Sequence, residues 1–310
     1  MIWSISDSKT FRRCQRQWFY KKMGNAIAAD PLRHRLYLLS KLQSISAWRG
    51  QIVDSVISEA VIPAVAARRV VTLEQVKSRA RQLFERQLAC ARKHELMTPG
   101  FSPTQLGSSF AAFHVLEYGG NISDQEIEAA ANDVDRALTN LFSMVELKTL
   151  LKSAQKLVPQ RALVFSHSGV SVRAVPDLIA FFGDHPPVIV DWKVHVFGID
   201  EAWLQLAAYS LALTRCNPHK DFPAELKSFS VKQVELVEVQ LLTNSIRRYS
   251  LTDDEVETAE AYIADNANDM LMALQGRKVD QLCAHDFSVA RFPGSCQTCQ
   301  YRSVCWGGNA

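Results

Sequence analysis

No apolar run in this chain approaches the roughly 18 residues that a membrane-spanning helix needs. Its first residues, Met1-Ile2-Trp3-Ser4-Ile5-Ser6-Asp7, lack the basic segment and long apolar stretch of a secretion signal. Both absences predict a cytoplasmic protein with no membrane partner. No G-x-x-x-x-G-K-[ST] loop is present, so any helicase or translocase activity would have to come from a partner subunit. No internal repeat is evident. Charge of one sign is also scarce, because 35 Lys and Arg against 32 Asp and Glu leave a net charge of only +3. A nucleic-acid partner would therefore need a local basic surface. Arg12, Arg13, Arg16, Lys21 and Lys22 form the first candidate, followed by Arg33 to Arg35, Arg68-Arg69 and Arg247-Arg248. Taken singly, each such cluster reads as a solvated helix face, but the first surrounds a cysteine.

With 310 residues, 47% of them hydrophobic and 22% charged, the chain is long and apolar enough to build a substantial core. Its cysteines number seven. In a reducing compartment they are not a disulfide framework. Cys90, Cys216 and Cys283 are scattered and read as buried apolar side chains.

Residues 6–23 read as one helix, with Phe11, Cys14, Trp18 and Phe19 at helical spacing. A helical zone follows to about residue 155, with pieces near 32–66, 73–95, 103–117 and 123–143. Pro63, Thr98-Pro99-Gly100 and Gly119-Gly120-Asn121 are the expected breaks. The pattern then changes. Residues 160–166, 170–182 and 187–195 are rich in Val, Ile, Phe and Leu and read as a three-strand meander. Residues 200–215 return to helix, 231–243 and 246–250 read as strands, and 252–276 as a helix opened by a capping box. From 281 the tail is loop-like. The sum is an α/β core with a large helical insertion ahead of it.

The chemistry concentrates in Pro176-Asp177, Asp191-Trp192-Lys193 and Gln205-x-x-x-Tyr209. The reading places Asp177 in a strand, with one hairpin bringing it level with Asp191. Lys193, two residues on, shares a strand face with Asp191. Gln205 and Tyr209, four apart, share a helix face. Two carboxylates supply hard oxygen ligands suited to Mg²⁺ or Mn²⁺, and a neighbouring lysine can orient a water or neutralise charge developing on a phosphate. A D-x-K triplet alone arises often by chance; the apolar strands around both acids and the downstream Gln205 and Tyr209 give it weight.

The second constellation is Cys296-Gln-Thr-Cys299, with Cys305 six residues further on. That spacing is a metal signature. A fourth thiolate would come from Cys283 or from Cys14. Four thiolates suit either Zn²⁺ or an iron–sulfur cluster, and spacing does not choose between them.

Taken together, these residues resemble the PD-(D/E)XK nuclease superfamily. More narrowly they resemble its RecB-like iron–sulfur branch, which includes CRISPR-associated RecB-like exonucleases and AddB-type nuclease domains. The resemblance covers the first twenty residues, a patch near residue 50, and residues 160–306. It implies a restriction-endonuclease-like α/β fold, a mixed central sheet flanked by helices, over a single nuclease domain spanning 1–310. Within it would lie an N-terminal cluster helix (1–25), a helical insertion (60–155), a catalytic core (156–276) and a cysteine tail (281–310). By resemblance, Ser6-x-Ser8-x-x-Phe11-x-x-Cys14-x-x-x-Trp18-Phe19-Tyr20 carries one cluster cysteine and the C-terminus carries three. This favours Cys14 over Cys283 beside Cys296, Cys299 and Cys305, and a [4Fe–4S] cluster over zinc. Asp177 would be the motif aspartate, Asp191 and Lys193 the D-x-K pair, and Gln205 and Tyr209 the residues that position the strand. The branch usually has a histidine metal ligand four residues after a glycine; here Gly50-x-x-x-Asp54 offers Asp54 instead, a third oxygen ligand beside Asp177 and Asp191. The implied activity is metal-dependent DNA cleavage, as an exonuclease on single-stranded DNA or DNA ends, in recombination, repair, CRISPR adaptation or anti-phage defence. The rival is a nuclease-like subunit that binds DNA or a partner protein in a complex without cutting.

Overall fold

A computed structural model describes residues 1–27, 30–195, 202–225 and 228–306. The chain forms two compact units. The first comprises Met1–Ile5, Arg49–Arg81 and Glu128–Asp265; the second comprises Ser6–Trp48, Gln82–Ile127 and Asn266–Ala310.

The first unit holds eight strands: β1 (Ile2–Trp3), β2 (Lys156–Pro159), β3 (Leu163–His167), β4 (Val170–Ala174), β5 (Leu178–Phe181), β6 (Val188–Lys193), β7 (Glu235–Gln240) and β8 (Ser245–Tyr249). They form a three-stranded sheet in the order β1-β4-β3 and a five-stranded sheet in the order β2-β5-β6-β7-β8. In the larger sheet only β6 and β7 run parallel, joined through the helix Ala202–Arg215. That helix packs on β3 and β4 and also on β6 and β7. It can do so because nearly all of Leu206 to Leu213 is apolar and buried. The central strands are buried on both faces, as expected for a parallel pair covered by helix. Truncating one of these side chains, such as the fully buried Leu236, would cost about 2–5 kcal/mol.

The meander expected over 160–195 is corrected. Residues 170–182 are not one strand but two, β4 and β5, in different sheets. Pro176 lies in the break; it has no N–H to give a ladder and ends β4's sheet. Asp177 therefore sits in the bend just before β5, not within a strand. The single helix expected over 6–23 is also two, Ile5–Arg13 and Gln15–Met23, divided at Cys14. Pro63 does not break its helix. Residues 45–66 run on through a π turn at Ile57–Val61, which precedes the proline. Of the stretch 103–117, only Pro103–Leu106 and His114–Glu117 are α-helical. The capping box of the helix Asp253–Leu274 is present: the Thr252 hydroxyl accepts from the Glu255 N–H, and the Glu255 carboxylate accepts from the Thr252 N–H.

The second unit is helical and is held by aromatic packing. Phe19 stacks on Phe287, with ring centroids 4.7 Å apart, and Trp18 meets Phe11 edge to face. Tyr20 leans on Tyr301, which joins the helix Gln15–Met23 to the C-terminal segment. Trp48 packs between Phe84 and Phe113 and donates its indole N–H to Gln87 at 2.6 Å.

Candidate functional site

The first unit gathers Asp54, Asp177, Asp191, Lys193, Gln205 and Tyr209. The β5–β6 hairpin pairs Leu178 with Val190, so Asp177 and Asp191 lie level at the same end of adjacent strands. The Asp177 carboxylate accepts the backbone N–H of Trp192 at 2.8 Å, which ties the bend to β6. Asp191 and Lys193 share one face of β6 and form an ion pair. Gln205 links them: its carboxamide oxygen accepts from Lys193 at 3.3 Å, and its nitrogen donates to Asp191 at 3.1 Å and also to the Tyr209 hydroxyl. The i,i+4 spacing on the helix Ala202–Arg215 aims Gln205 and Tyr209 at the same point. Asp54 enters from the helix Ile45–Val56, one turn before the π segment.

The electrostatics reflect three carboxylates in one place. Burial, and then the charges of Asp191 and Asp54, push the Asp177 carboxyl well above the usual carboxylate range. Burial likewise raises Asp54, opposed by hydrogen bonds from Gln160 and Ser58 and reinforced by Asp191. For Lys193 burial works against the charge, yet Asp191, Asp177 and Glu238 together hold the ammonium above its ordinary value. Tyr209 is raised well above the ordinary phenol range by burial and by the same acids, so it is a neutral hydroxyl here. Among the described residues no three His, Cys, Asp or Glu side chains are spaced to hold a metal ion as they stand. The carboxylate oxygens meet the chain's own amides and Lys193 instead. The donor set itself, three carboxylates repelling one another around a single lysine, fits a hard divalent cation, which would relieve that repulsion.

Two members of this site are not among the sequence-predicted residues. Gln160, between β2 and β3, donates its carboxamide to both oxygens of Asp54 at 2.9 and 3.1 Å and approaches Asp177 at 3.4 Å. Glu238 pairs with Asp191 in the β6–β7 register, so its side chain points to the same face. It is 1% exposed and accepts from Gln240, Arg247 and Tyr249. A signal for it was present: Glu235 and Glu238, three apart, fall on opposite faces of β7, which departs from the strict polar alternation expected over 231–243. Gln160 carried no such signal.

The second unit holds the cysteines. Cys14, Cys296, Cys299 and Cys305 all line one cavity of about 330 Å³, together with Arg16, Tyr20, Tyr301 and Trp306. Cys14 caps the helix Gln15–Met23, its sulfur accepting the Gln17 N–H at 3.4 Å. The Arg16 guanidinium comes to 4.0 Å from the Cys305 sulfur. Burial, with the other three cysteines adding to it, pushes the Cys299 thiol up to about 11. Burial and Cys305 push Tyr20 up to about 12. Thiols that resist ionising together, with N–H donors aimed at sulfur, fit a cationic group bound as thiolates. Cys283 is corrected: it is exposed, not a buried apolar side chain, and it is not among the cavity's lining residues. Cys90 and Cys216 are only half-buried.

The sequence profile of the PD-(D/E)XK nuclease superfamily matches residues 2–306. The chain belongs to that superfamily. Its mixed sheet flanked by helices is consistent with a PD-(D/E)XK fold, and divalent ions such as Mg²⁺ or Mn²⁺ are the metals PD-(D/E)XK nucleases generally use. No curated protein matches the sequence. Solved structures similar to this PD-(D/E)XK chain include a candidate exonuclease from Eubacterium rectale, 11% identical, covering 99% of this chain and 88% of that one with a TM-score of 0.46. Another is SSO0001, 14% identical, covering 60% of this chain and 79% of that one with a TM-score of 0.29. Both TM-scores lie below 0.5, and neither likeness bears on what the chain does. Among the described residues no helix is long and apolar enough to cross a membrane.

Proposed function

We propose that this PD-(D/E)XK chain is a metal-dependent deoxyribonuclease of the RecB-like iron–sulfur branch, acting as an exonuclease on single-stranded DNA or DNA ends. The observation that carries the reading is the convergence of Asp54, Asp177 and Asp191 within one unit, with Lys193 and Gln205 on Asp191. Asp54, Asp177 and Asp191 would hold Mg²⁺ or Mn²⁺, which supplies a Lewis acid for the phosphate and lowers the pKa of a bound water. Lys193 stays protonated beside them and faces the charge that develops on the phosphate. Gln205 ties the Lys193 ammonium to the Asp191 carboxylate, and Tyr209 offers a neutral hydroxyl for the strand. A protein that works on recombining or invading DNA in the cytoplasm, with a helicase or other subunit as partner, matches this chemistry and the missing P-loop.

Cys14, Cys296, Cys299 and Cys305 would bind a [4Fe–4S] cluster. The choice of a cluster over a single zinc ion follows the resemblance, and the cavity of about 330 Å³ leaves room for it. The cluster would tie the helix Gln15–Met23 to the C-terminal tail and take no part in the chemistry. Arg12, Arg13 and Arg16 flank Cys14 and supply charge for phosphates. On this reading all of 1–310 works as one nuclease domain.

The test is hydrolysis of end-labelled DNA of defined polarity by anaerobically purified protein with Mn²⁺. Wild type is expected to shorten the strands, and Lys193→Ala to lower the rate by about 10²–10³-fold. A wild-type protein that binds labelled DNA but leaves it intact would overturn the enzyme reading in favour of a non-cutting subunit.

A further inference from the structure

Gln160 lies where the chain leaves β2 of one sheet for β3 of the other. Pro159 pairs with Leu178 in the antiparallel register, so Gln160 falls opposite Asp177, and its N–H donates to the Asp177 carbonyl at 3.1 Å. Its φ is +51°, in the left-handed region where a side chain is strained and glycine is at ease. A turn alone would be served better by glycine. The side chain that replaces it is aimed at the acids: the carboxamide nitrogen donates to both Asp54 oxygens and reaches toward Asp177. Arg68, His94, Ser168, Asn244 and Gln275 also have a positive φ, so it is the aim of the carboxamide at the acids that singles Gln160 out.

We infer that Gln160 is a positioning residue that keeps the place of the divalent cation. Its carboxamide sits between Asp54 and Asp177 and holds the two carboxylates together against their repulsion. The cation takes that place when it binds, and the Gln160 side chain swings out. The metal-free state is thereby stabilised, and the site is weakened for metal by the same amount through linkage. The inference rests on the reading of Asp54, Asp177 and Asp191 as the cation's carboxylates.

The experiment is Mn²⁺ binding by the full chain, followed by electron paramagnetic resonance of free Mn²⁺ and by calorimetry, for wild type, Gln160→Ala and Gln160→Gly. Melting temperatures in EDTA and in saturating Mn²⁺ are measured alongside. Both variants are expected to bind Mn²⁺ about threefold to tenfold more tightly, the range set by losing one ordinary, solvent-exposed hydrogen bond. Both should also show a larger rise in melting temperature from EDTA to Mn²⁺. Gln160→Gly removes the backbone strain in both states, so that contribution cancels in the rise, and a variant that folds well is secured. Equal Mn²⁺ affinity in wild type and variants would overturn the role given to Gln160, as would weaker binding, which would make Gln160 a ligand. In either case a wild type that still binds Mn²⁺ leaves the carboxylate centre standing. A wild type that takes up no Mn²⁺ overturns both readings.

Discussion

In the carboxylate centre, Asp54 is held by Gln160 and Ser58, Asp177 by the Trp192 N–H, and Asp191 by Lys193 and Gln205. Five segments of one unit meet there, and their polar groups answer one another. The cysteine cavity in the other unit has a different character. Its four thiols share walls with Val289, Tyr20, Tyr301 and Trp306, and its polar help includes the Gln17 and Tyr301 backbone N–H groups and a guanidinium at the edge of reach. Both places crowd groups that resist being charged together. Only the first offsets that crowding with its own lysine and amides. The carboxylate centre should therefore keep its shape without a metal and need one only to act, whereas the cysteine cavity, if it takes the proposed cluster, should need that cluster to stay folded.

The largest effect that tests this contrast is expected from Cys14→Ala. On the proposed cluster reading, the substitution removes the cysteine that would connect the N-terminal helices to the three in the tail. Losing such a crosslink costs about 2–5 kcal/mol, or roughly 10 °C in melting temperature for a protein of this size. Absorbance near about 400 nm, which zinc–thiolate sites lack, should fall with it. The rate of DNA hydrolysis per folded molecule should hold. A variant that melts with wild type would show that the cavity is no staple and erase the contrast.

Next in size is Asp54→Ala. Removing one of three mutually repelling acids should lower hydrolysis by about 10²-fold while the metal-free protein melts no lower than wild type. The sign follows from its raised pKa. A carboxyl raised on folding contributes stability below the unfolded value and loses it as pH rises through the folded one, so at pH 8 the ionised Asp54 is a burden that the variant sheds. Asp54→His, which restores the residue usual in the branch this chain resembles, should keep most of the activity. A lower metal-free melting temperature for Asp54→Ala would show that the centre depends on its acids for folding, as the cavity depends on its cysteines.

What could be read from the sequence divides along the same line. Asp191 with Lys193 and Gln205 with Tyr209 were legible because strand and helix periods alone fix which residues share a face. The hairpin from Asp177 to Asp191 was legible from its length. Asp54 could be named only from a resemblance, since nothing local ties the end of one helix to a strand more than a hundred residues later. Gln160 was hidden, because a left-handed turn residue belongs to no period. Glu238 was marked only by a shift in the polar pattern within what looked like plain alternation. Pro176 was visible, yet its power to divide residues 170–182 between two sheets depends on which strands lie beside it. The division of residues 6–23 at Cys14 has a similar origin: helical spacing runs through the break, and only the cap formed by the Cys14 sulfur marks it.

The smallest expected effect sets one more acid of the second unit against Asp177. Asp7 is also buried, and burial is the largest influence on it, acting to raise its pKa. The hydrogen bonds and charges of Lys21 and Lys22, at 2.8 and 2.7 Å, overcome that and leave it lowered. Asp177, crowded by acids, moves the opposite way. Because the folded value of Asp7 lies below the unfolded one, its ion pairs stabilise the protein above the ordinary carboxylate range, and that contribution is lost as pH falls through the folded value. The Lys21 and Lys22 side chains are 37% and 26% exposed, which screens the pair. Asp7→Asn should therefore cost about 1 kcal/mol at pH 7, and the gap to wild type should narrow as pH falls below about 4. Urea unfolding at a series of pH values measures it. A gap that stays constant down to pH 3 would mean that Asp7 contributes through its shape and hydrogen bonds rather than its charge, and that the two units do not differ in how they hold a buried carboxylate.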